Sequence, residues 1–147
     1  EQGLTIDYRA TTVEQVAQSG ERFDVAVCLE VVEHVPDPAA LIASCAQTVR
    51  PGGLLIVSTI NRTMKAYGLA IVAAENLLGW LPQGTHQWER FVTPEELESS
   101  FRQAGLENAR FSGLVFNPLS DRWGLGADTS VNYIAAAEKP EALEQAV

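Results

Sequence analysis

The clearest pattern in the chain is a pair of short apolar runs that predict strands buried on both sides. Val25–Leu29 and Leu54–Val57 are apolar without alternation, as expected for strands of a parallel sheet covered on both faces. Between them, Asp37 can cap a helix with Pro38 at its first position, and apolar residues recur at helical spacing at Leu41, Ile42, Cys45 and Val49. This order predicts a right-handed crossover and an α/β fold with helices on both faces of the sheet.

The segment before the first run predicts one more strand and one more helix. Alternation with polar residues predicts a short strand at Leu4, Ile6 and Tyr8. Thr11 and Glu14 have the spacing of a capping box, in which each side chain satisfies a free amide of a helix start. The helix that they begin is expected to end at Gly20, because glycine readily adopts the left-handed conformation that ends helices.

The second half of the chain predicts two helices and two closing strands. The stretch Met64–Trp80 is apolar nearly all round a helix, which indicates burial against more than one surface. A second capping box, Thr93 with Glu96, begins a helix that stops at Gly105. The closing strands are predicted at Phe111–Phe116 and Val131–Ala137. One domain is therefore expected over residues 1–139, followed by a disordered tail over 140–147.

Composition argues against a nucleic-acid-binding or membrane-spanning protein. The chain has 147 residues and a formal charge of −9, with Lys and Arg scattered, so nucleic acid is not an expected partner. Cys28 and Cys45 fall on the predicted strand and helix and are interpreted as small buried apolar residues, which fits a reducing, cytoplasmic setting. The most apolar stretch is too short to span a membrane and contains Glu75. Because the only Met is Met64, we expect a fragment of a longer protein.

Candidate chemistry follows the first apolar strand. Glu30, Glu33 and His34 are spaced so that a helical turn after the strand would bring all three to one face. Two carboxylates and an imidazole at the carboxyl end of a strand can bind a hard divalent cation such as Mg²⁺ or move a proton. The alternative is that Glu33 and His34 only hydrogen-bond the loop. His86 is either a second acid or base or an ordinary surface histidine.

Several stretches, in order, carry a resemblance to a known family. The chain resembles the S-adenosylmethionine-dependent methyltransferases of the seven-strand type and, more narrowly, the ubiquinone-biosynthesis O-methyltransferase family. Two matching stretches are common to many methyltransferases, and five are specific to the narrower family. The common ones are Glu33–Pro38 and Arg50–Gly53, and the specific ones are Ser58–Arg62, Ala74–Glu75, Leu81–His86, Phe116–Leu119 and Val131–Tyr133.

The resemblance implies a Rossmann-like fold, with this chain as the C-terminal part of a mostly parallel seven-strand sheet whose last strand is antiparallel. The family's first two strands, its Gly-rich cofactor loop and the acidic residue for the ribose are not found in the chain, so the domain is expected to be partial. The family pattern carries over one cofactor-binding position, Leu29 beside the adenine. It also places the metal ligands at Glu30, Glu33 and His34, with Glu33 and His34 as catalytic residues.

The implied activity is methyl transfer from S-adenosylmethionine to a phenolic hydroxyl of a polyprenylated catechol or hydroquinone, with Mg²⁺ as a second cofactor. Implied partners are that polyprenylated phenol, a ubiquinone-biosynthesis complex and the surface of the inner membrane, contacted through Met64–Trp80. Core packing is the alternative role for this segment. The alternative functions are methylation of another small aromatic or of carbon, and a truncated noncatalytic lipid-binding module.

The partial domain has a structural consequence. Strand Val25–Leu29 would lack the family's first strand as its neighbour, and the strand at residues 4–8 would lack the second. An apolar strand built for the middle of a sheet then becomes an exposed edge that can pair with another chain. The isolated chain is therefore expected not to behave as an active monomeric methyltransferase.

Overall fold

The structure is a computed structural model that describes residues 3–68, 88–117 and 121–141. It contains four helices and five strands in those ranges. In chain order they are α1 (Val13–Ser19), β1 (Phe23–Leu29), α2 (Pro38–Thr48), β2 (Val49–Ile60), α3 (Met64–Ala66), α4 (Pro94–Gln103), β3 (Glu107–Asn117), β4 (Arg122–Gly126) and β5 (Asn132–Glu138). Single 3₁₀ turns occur at Val32–His34 and Trp88–Arg90.

The five strands form one mixed sheet in the order β1-β2-β5-β3-β4. β1 and β2 are parallel and joined through α2, which confirms the predicted strand, helix, strand unit and the α/β class. β5 runs antiparallel to both β2 and β3. β4, which pairs antiparallel with the end of β3, was not predicted from the sequence.

The helix boundaries follow local capping chemistry. The Asp37 carboxylate accepts a hydrogen bond from the Ala40 amide at 3.0 Å, with Pro38 at the first helical position, as predicted. Thr93 and Glu96 form the predicted capping box at the start of α4. The first capping box lies one residue later than predicted, because Thr12 and Gln15, rather than Thr11 and Glu14, make the reciprocal bonds. Left-handed Gly20 ends α1 as expected.

One face of the sheet packs against the helices; we call it the helical face. It carries Ala26 and Cys28 of β1, Leu55 and Val57 of β2, and Tyr133, Ala135 and Ala137 of β5, which share a core with residues of α2 and α4. Ile42, Leu97 and Phe101 are at most 1 % exposed in that core. The Tyr133 hydroxyl donates to the Val92 carbonyl at 2.9 Å, so the largest buried side chain of β5 keeps its polar atom satisfied. Cys28 and Cys45 are buried free thiols, as predicted.

The opposite face, which we call the open face, is apolar but exposed at the edge of the sheet. On β1 the side chains of Val25, Val27 and Leu29 are 45 %, 59 % and 49 % exposed. The register aligns them with Leu54, Ile56 and Ser58 of β2. The sequence predicted helices on both faces of the sheet. In the described residues the core helices pack on the helical face, and no helix is seen on the open face.

The predicted strand at residues 4–8 is absent. Leu4, Ile6 and Tyr8 lie in irregular backbone and are 75 %, 60 % and 85 % exposed. A strand needs hydrogen bonds from a neighbouring strand, and this segment pairs with none of the described strands. β1 likewise pairs only with β2 among the described strands and stands at the edge of the sheet, as expected for a partial domain.

Candidate active site at the carboxyl ends of β1 and β2

The candidate site lies where two parallel strands end side by side. Leu29, the last residue of β1, is in register with Ser58 of β2. The loop that begins at Glu30 therefore crosses the end of β2 at Ser58 and Thr59. Ligands of open α/β sheets bind outside the carboxyl ends of such strands, so the structure brings the predicted residues to the edge where chemistry is expected.

Glu30 is held in an unusual conformation by two bonds to one residue. Its φ is 54°, in the left-handed region that residues with a side chain seldom adopt. Its amide donates to the Ser58 carbonyl at 3.0 Å, and its carboxylate accepts from the Ser58 hydroxyl at 2.6 Å. Backbone strain of this kind persists only where the surroundings enforce it, and it concentrates at functional sites. Ser58 thus fixes the direction in which the loop leaves the strand.

Glu33 is a buried carboxyl group with one unsatisfied oxygen. It is 3 % exposed, and Oε2 accepts from the Thr59 hydroxyl at 2.9 Å. Oε1 is buried without a hydrogen-bond partner. Burial raises the pKa of Glu33, and the nearby Glu30 charge raises it further, against lowering contributions from the Thr59 bond and His34. A proton on this carboxyl group would remove the cost of a buried charge, so Glu33 is suited to the role of an acid.

His34 lies beside Glu33 at the end of the 3₁₀ turn. Its amide donates to the Val31 carbonyl at 2.9 Å, which closes the turn. His34 lies near enough to Glu33 to act on the pKa of its carboxyl group, which it lowers. A base and an acid in one short turn, at the end of a strand, form an arrangement that can move a proton.

The predicted metal cluster does not form in this geometry. The spacing of Glu30, Glu33 and His34 assumed a continuous helical turn after β1, but left-handed Glu30 interrupts the chain before the 3₁₀ turn. The two carboxylates are bonded instead to the hydroxyls of Ser58 and Thr59. Within residues 3–68, 88–117 and 121–141, no three His, Cys, Asp or Glu side chains are grouped so that they could hold a metal ion. These side chains as placed do not fit Mg²⁺.

Three further predictions concern Leu29, His86 and the segment Met64–Trp80, and the structure describes them to different extents. Leu29 is half exposed on the open face at the end of β1, and its contact with the cofactor stays a prediction. His86 lies outside the described residues. Of Met64–Trp80, only residues 64–68 are described: Met64 is 74 % exposed and Ala66 is buried.

A cavity of about 580 Å³ lies next to this turn and was not foreseen from the sequence. Its walls come from the loop after β1, the start of α2, the loop after β2, the segment before α4 and α4 itself. Lining residues include Val35, Pro36, Pro38, Arg62, Phe91 and Glu96. Arg62 forms an ion pair with Glu96, and its Nε is buried without a partner. The volume is within the range of small-molecule sites, about 300 to 1,000 Å³. No local sequence pattern joins Arg62 to Glu96, because the contact depends on how α4 packs.

Comparison with known proteins defines the class. The family model described as "Methyltransferase domain" matches residues 3–110, and the chain belongs to this family. Among solved structures, a SAM-dependent methyltransferase from Thermotoga maritima, titled a possible histamine N-methyltransferase, is 21 % identical, with a TM-score of 0.59 over 82 % of this chain and 57 % of that one. A SAM-dependent methyltransferase from Archaeoglobus fulgidus is 16 % identical, with a TM-score of 0.59 over 88 % and 66 %. These likenesses confirm the predicted fold.

Curated relatives narrow the resemblance further. A ubiquinone biosynthesis O-methyltransferase from Parvibaculum lavamentivorans is 53 % identical over 139 residues, which are 95 % of this chain and 55 % of the relative. The protein of the same name from Rhizobium etli is 54 % identical over 138 residues, 94 % of this chain and 56 % of the relative. The resemblance stated from the sequence is confirmed. The chain spans little more than half the length of these relatives.

Proposed function

We propose that the full-length protein containing this chain transfers a methyl group from S-adenosylmethionine to a phenolic hydroxyl of a polyprenylated catechol or hydroquinone in ubiquinone biosynthesis. The observation that carries the proposal is 53 % to 54 % identity, over 94 % or more of the chain, to relatives with that name. The candidate site supports it, because an acid and a base stand beside a cavity of suitable size.

The reaction requires removal of a phenolic proton. A phenol with a pKa near that of Tyr, about 10, costs about 4 kcal/mol to ionise at pH 7. We assign His34 as the general base, since it lies in the loop that leads directly into the cavity wall at Val35. Glu33, held by the Thr59 hydroxyl, is assigned to tune His34 electrostatically. S-adenosylmethionine supplies an electrophilic methyl group when bound, and Leu29 is the residue we assign to its adenine.

A requirement for Mg²⁺ stays a prediction from the sequence resemblance, and no step above depends on it. Glu30, Glu33 and His34 would have to leave their present hydrogen bonds to coordinate an ion together. Turnover of the full-length enzyme with excess chelator, then with Mg²⁺ restored, tests the requirement. Undiminished turnover in chelator would leave His34 as a base without a metal.

Contact with a membrane surface and with a ubiquinone-biosynthesis complex is also proposed. Exposed Met64 and Tyr67 begin the apolar segment to which we assign this contact. In the described part of the chain, no helix is long and apolar enough to cross a membrane. Flotation of the full-length protein with vesicles tests the surface contact.

The deciding experiment is a methyl-transfer assay on the full-length protein with S-adenosylmethionine and a prenylated catechol, read by mass spectrometry of the product. His34→Ala is expected to lower kcat by about 100- to 10,000-fold, the usual contribution of a general base. His86→Ala is the matched control and should cost less. Absence of methylated phenol with the unmodified enzyme would refute the proposed reaction, and equal losses in the two variants would refute the choice of base. A noncatalytic lipid-binding module would show no saturable binding of S-adenosylmethionine.

A further inference from the structure

The hairpin formed by β3 and β4 exposes apolar side chains at the edge of the sheet opposite β1. Phe116 is 42 % exposed, Trp123 is 64 % exposed and Leu125 is 71 % exposed. The register places Phe116 opposite Trp123 and Leu114 opposite Leu125, so all four lie on the open face. The rings of Phe116 and Trp123 are 5.3 Å apart between centroids and tilted by 44°. Such a pair provides a firm apolar wall at the surface.

A groove of about 300 Å³ runs beside this wall. Its apolar lining is Leu114, Val115, Phe116, Trp123 and Val131, and its polar lining is Lys65, Asp128 and Asn132. The Lys65 ammonium and the Asp128 carboxylate pair with each other at 2.6 Å. The two charges of this pair therefore neutralise each other within the groove lining, and no charged ligand is needed to balance them. The groove suits an uncharged, flexible apolar chain.

The groove begins at the end of the sheet where β1 and β2 have their carboxyl ends, which is also where the candidate active site lies. Asn132 is in register with Ile60, the last residue of β2. Two side chains from the loop after β2 hold the segment that precedes β5: Asn61 Nδ2 donates to the Thr129 carbonyl at 2.9 Å, and the Thr63 hydroxyl donates to the Ser130 carbonyl at 2.5 Å. A ligand with its ring at the ends of β1 and β2 would thus have the groove within reach of its substituents.

We infer that this groove binds the isoprenoid tail of the phenol substrate, an inference that rests on the proposed function. The observation that carries the inference is the juxtaposition of a mainly apolar groove, whose two charges pair with each other, with the carboxyl end of β2. The groove is short, so it would hold the part of the tail nearest the ring and leave the rest outside. Burying apolar surface against Phe116 and Trp123 would favour prenylated over unprenylated phenols.

The test is titration calorimetry of the full-length protein with geraniol, a short isoprenoid alcohol without a phenol ring. Phe116→Glu introduces a charge into the groove and is expected to weaken geraniol binding by at least about tenfold. Leu114→Glu is a second variant of the lining, on the same face of β3 as Phe116, that keeps both aromatic rings. Leu125→Glu is the matched control, because Leu125 is exposed on the same face of the hairpin but does not line the groove. It should leave geraniol affinity unchanged.

Turnover separates this inference from the proposed function. With the tail groove in use, both lining variants raise KM for a prenylated catechol and leave turnover of an unprenylated catechol unchanged. Methylation of neither catechol by the unmodified enzyme would refute the proposed function, while geraniol binding would still report on the groove. No saturable heat with geraniol would overturn the inference. Equal weakening by Leu125→Glu would also overturn it and would assign the hairpin to general apolar contact, as with a membrane surface.

Discussion

The two faces of the sheet carry similar side chains in very different surroundings. On the helical face, Leu55 and Val57 are completely buried. On the open face, Val27 and Leu29, one strand away, are 59 % and 49 % exposed. Strands with apolar residues on both faces are typical of sheets covered on both sides. The strands of this chain therefore carry more apolar surface than the described residues bury, in agreement with a chain that spans little more than half of its relatives' length.

The largest expected effect concerns the isolated chain. Expressed alone, the 147 residues are expected to self-associate and to show no methyl transfer, because β1 presents an unpaired apolar edge. Fully burying a Val or Leu contributes roughly 1.5 to 3 kcal/mol, and the half-exposed side chains of β1 forfeit about half of that. Sedimentation measures the association, and Val27→Lys should reduce it, whereas Leu125→Lys on the opposite edge should reduce it less. A soluble monomer with a cooperative melt and micromolar affinity for S-adenosylmethionine would contradict the expectation.

A matched pair of leucines measures the difference between the faces directly. Leu55→Ala, at a completely buried position of the helical face, is expected to cost about 2 to 5 kcal/mol in free energy of unfolding. Leu29→Ala, at a half-exposed position of the open face, is expected to cost about 0.5 kcal/mol or less in the isolated chain.

Denaturant unfolding of both variants in the Val27→Lys background gives the two values. In the full-length protein, a larger cost for Leu29→Ala would show that another part of that protein covers the open face. Equal costs in the isolated chain would mean that the faces do not differ as described.

The active-site loop divides its carboxyl groups between the same two faces, and pH dependence can separate them. Glu33 bonds to Thr59, on the helical face, and its pKa is raised by burial. Its folded pKa then exceeds its unfolded pKa, so the folded state binds more protons between the two values, and the stability of the protein falls as pH rises through that window. Glu33→Gln should remove this loss. The matched control is Glu30→Gln, because the Glu30 carboxylate is bonded to Ser58 but its residue is exposed.

Melting temperatures of the unmodified protein and both variants, from pH 4 to pH 8, make the measurement. The gap in stability between Glu33→Gln and the unmodified protein should shift in favour of the variant as pH rises. A constant gap across the range would show that the Glu33 carboxyl group has the same proton affinity in the folded and unfolded chains.

Helix caps give the smallest effect. Thr93→Ala removes the cap of α4, whose Leu97 and Phe101 form part of the core on the helical face, and is expected to cost about 1 kcal/mol. Thr12→Ala removes the equivalent cap of α1, which buries only Ala17, and should cost less because α1 can fray with little loss of core packing. Thermal unfolding of the two variants compares the caps. A larger cost at Thr12 would indicate that α1 is more firmly integrated than its burial suggests.

Features that depend on neighbours within a few residues could be predicted from the sequence. Asp37, Pro38, Thr93 and Glu96 set helix boundaries because their side chains bond to backbone amides within the same turn. The two apolar runs likewise established the parallel β1 and β2 pair and hence the α/β class. The family stretches added the resemblance that the comparisons confirm.

Features that need partners far along the chain could not be predicted in this way, because they depend on tertiary contacts. Residues 4–8 have the alternation of a strand, but strand hydrogen bonds require a neighbour, and they lack one among the described strands. The spacing from Glu30 to His34 suggested a helical face, whereas the Ser58 carbonyl and hydroxyl, 28 residues away, draw Glu30 into a left-handed conformation. Burial likewise raises the pKa of Glu33, while the bond from Thr59, 26 residues away, lowers it. Local patterns predict local bonds, while the geometry of the site comes from strand pairing and packing, whose partners the local pattern does not specify.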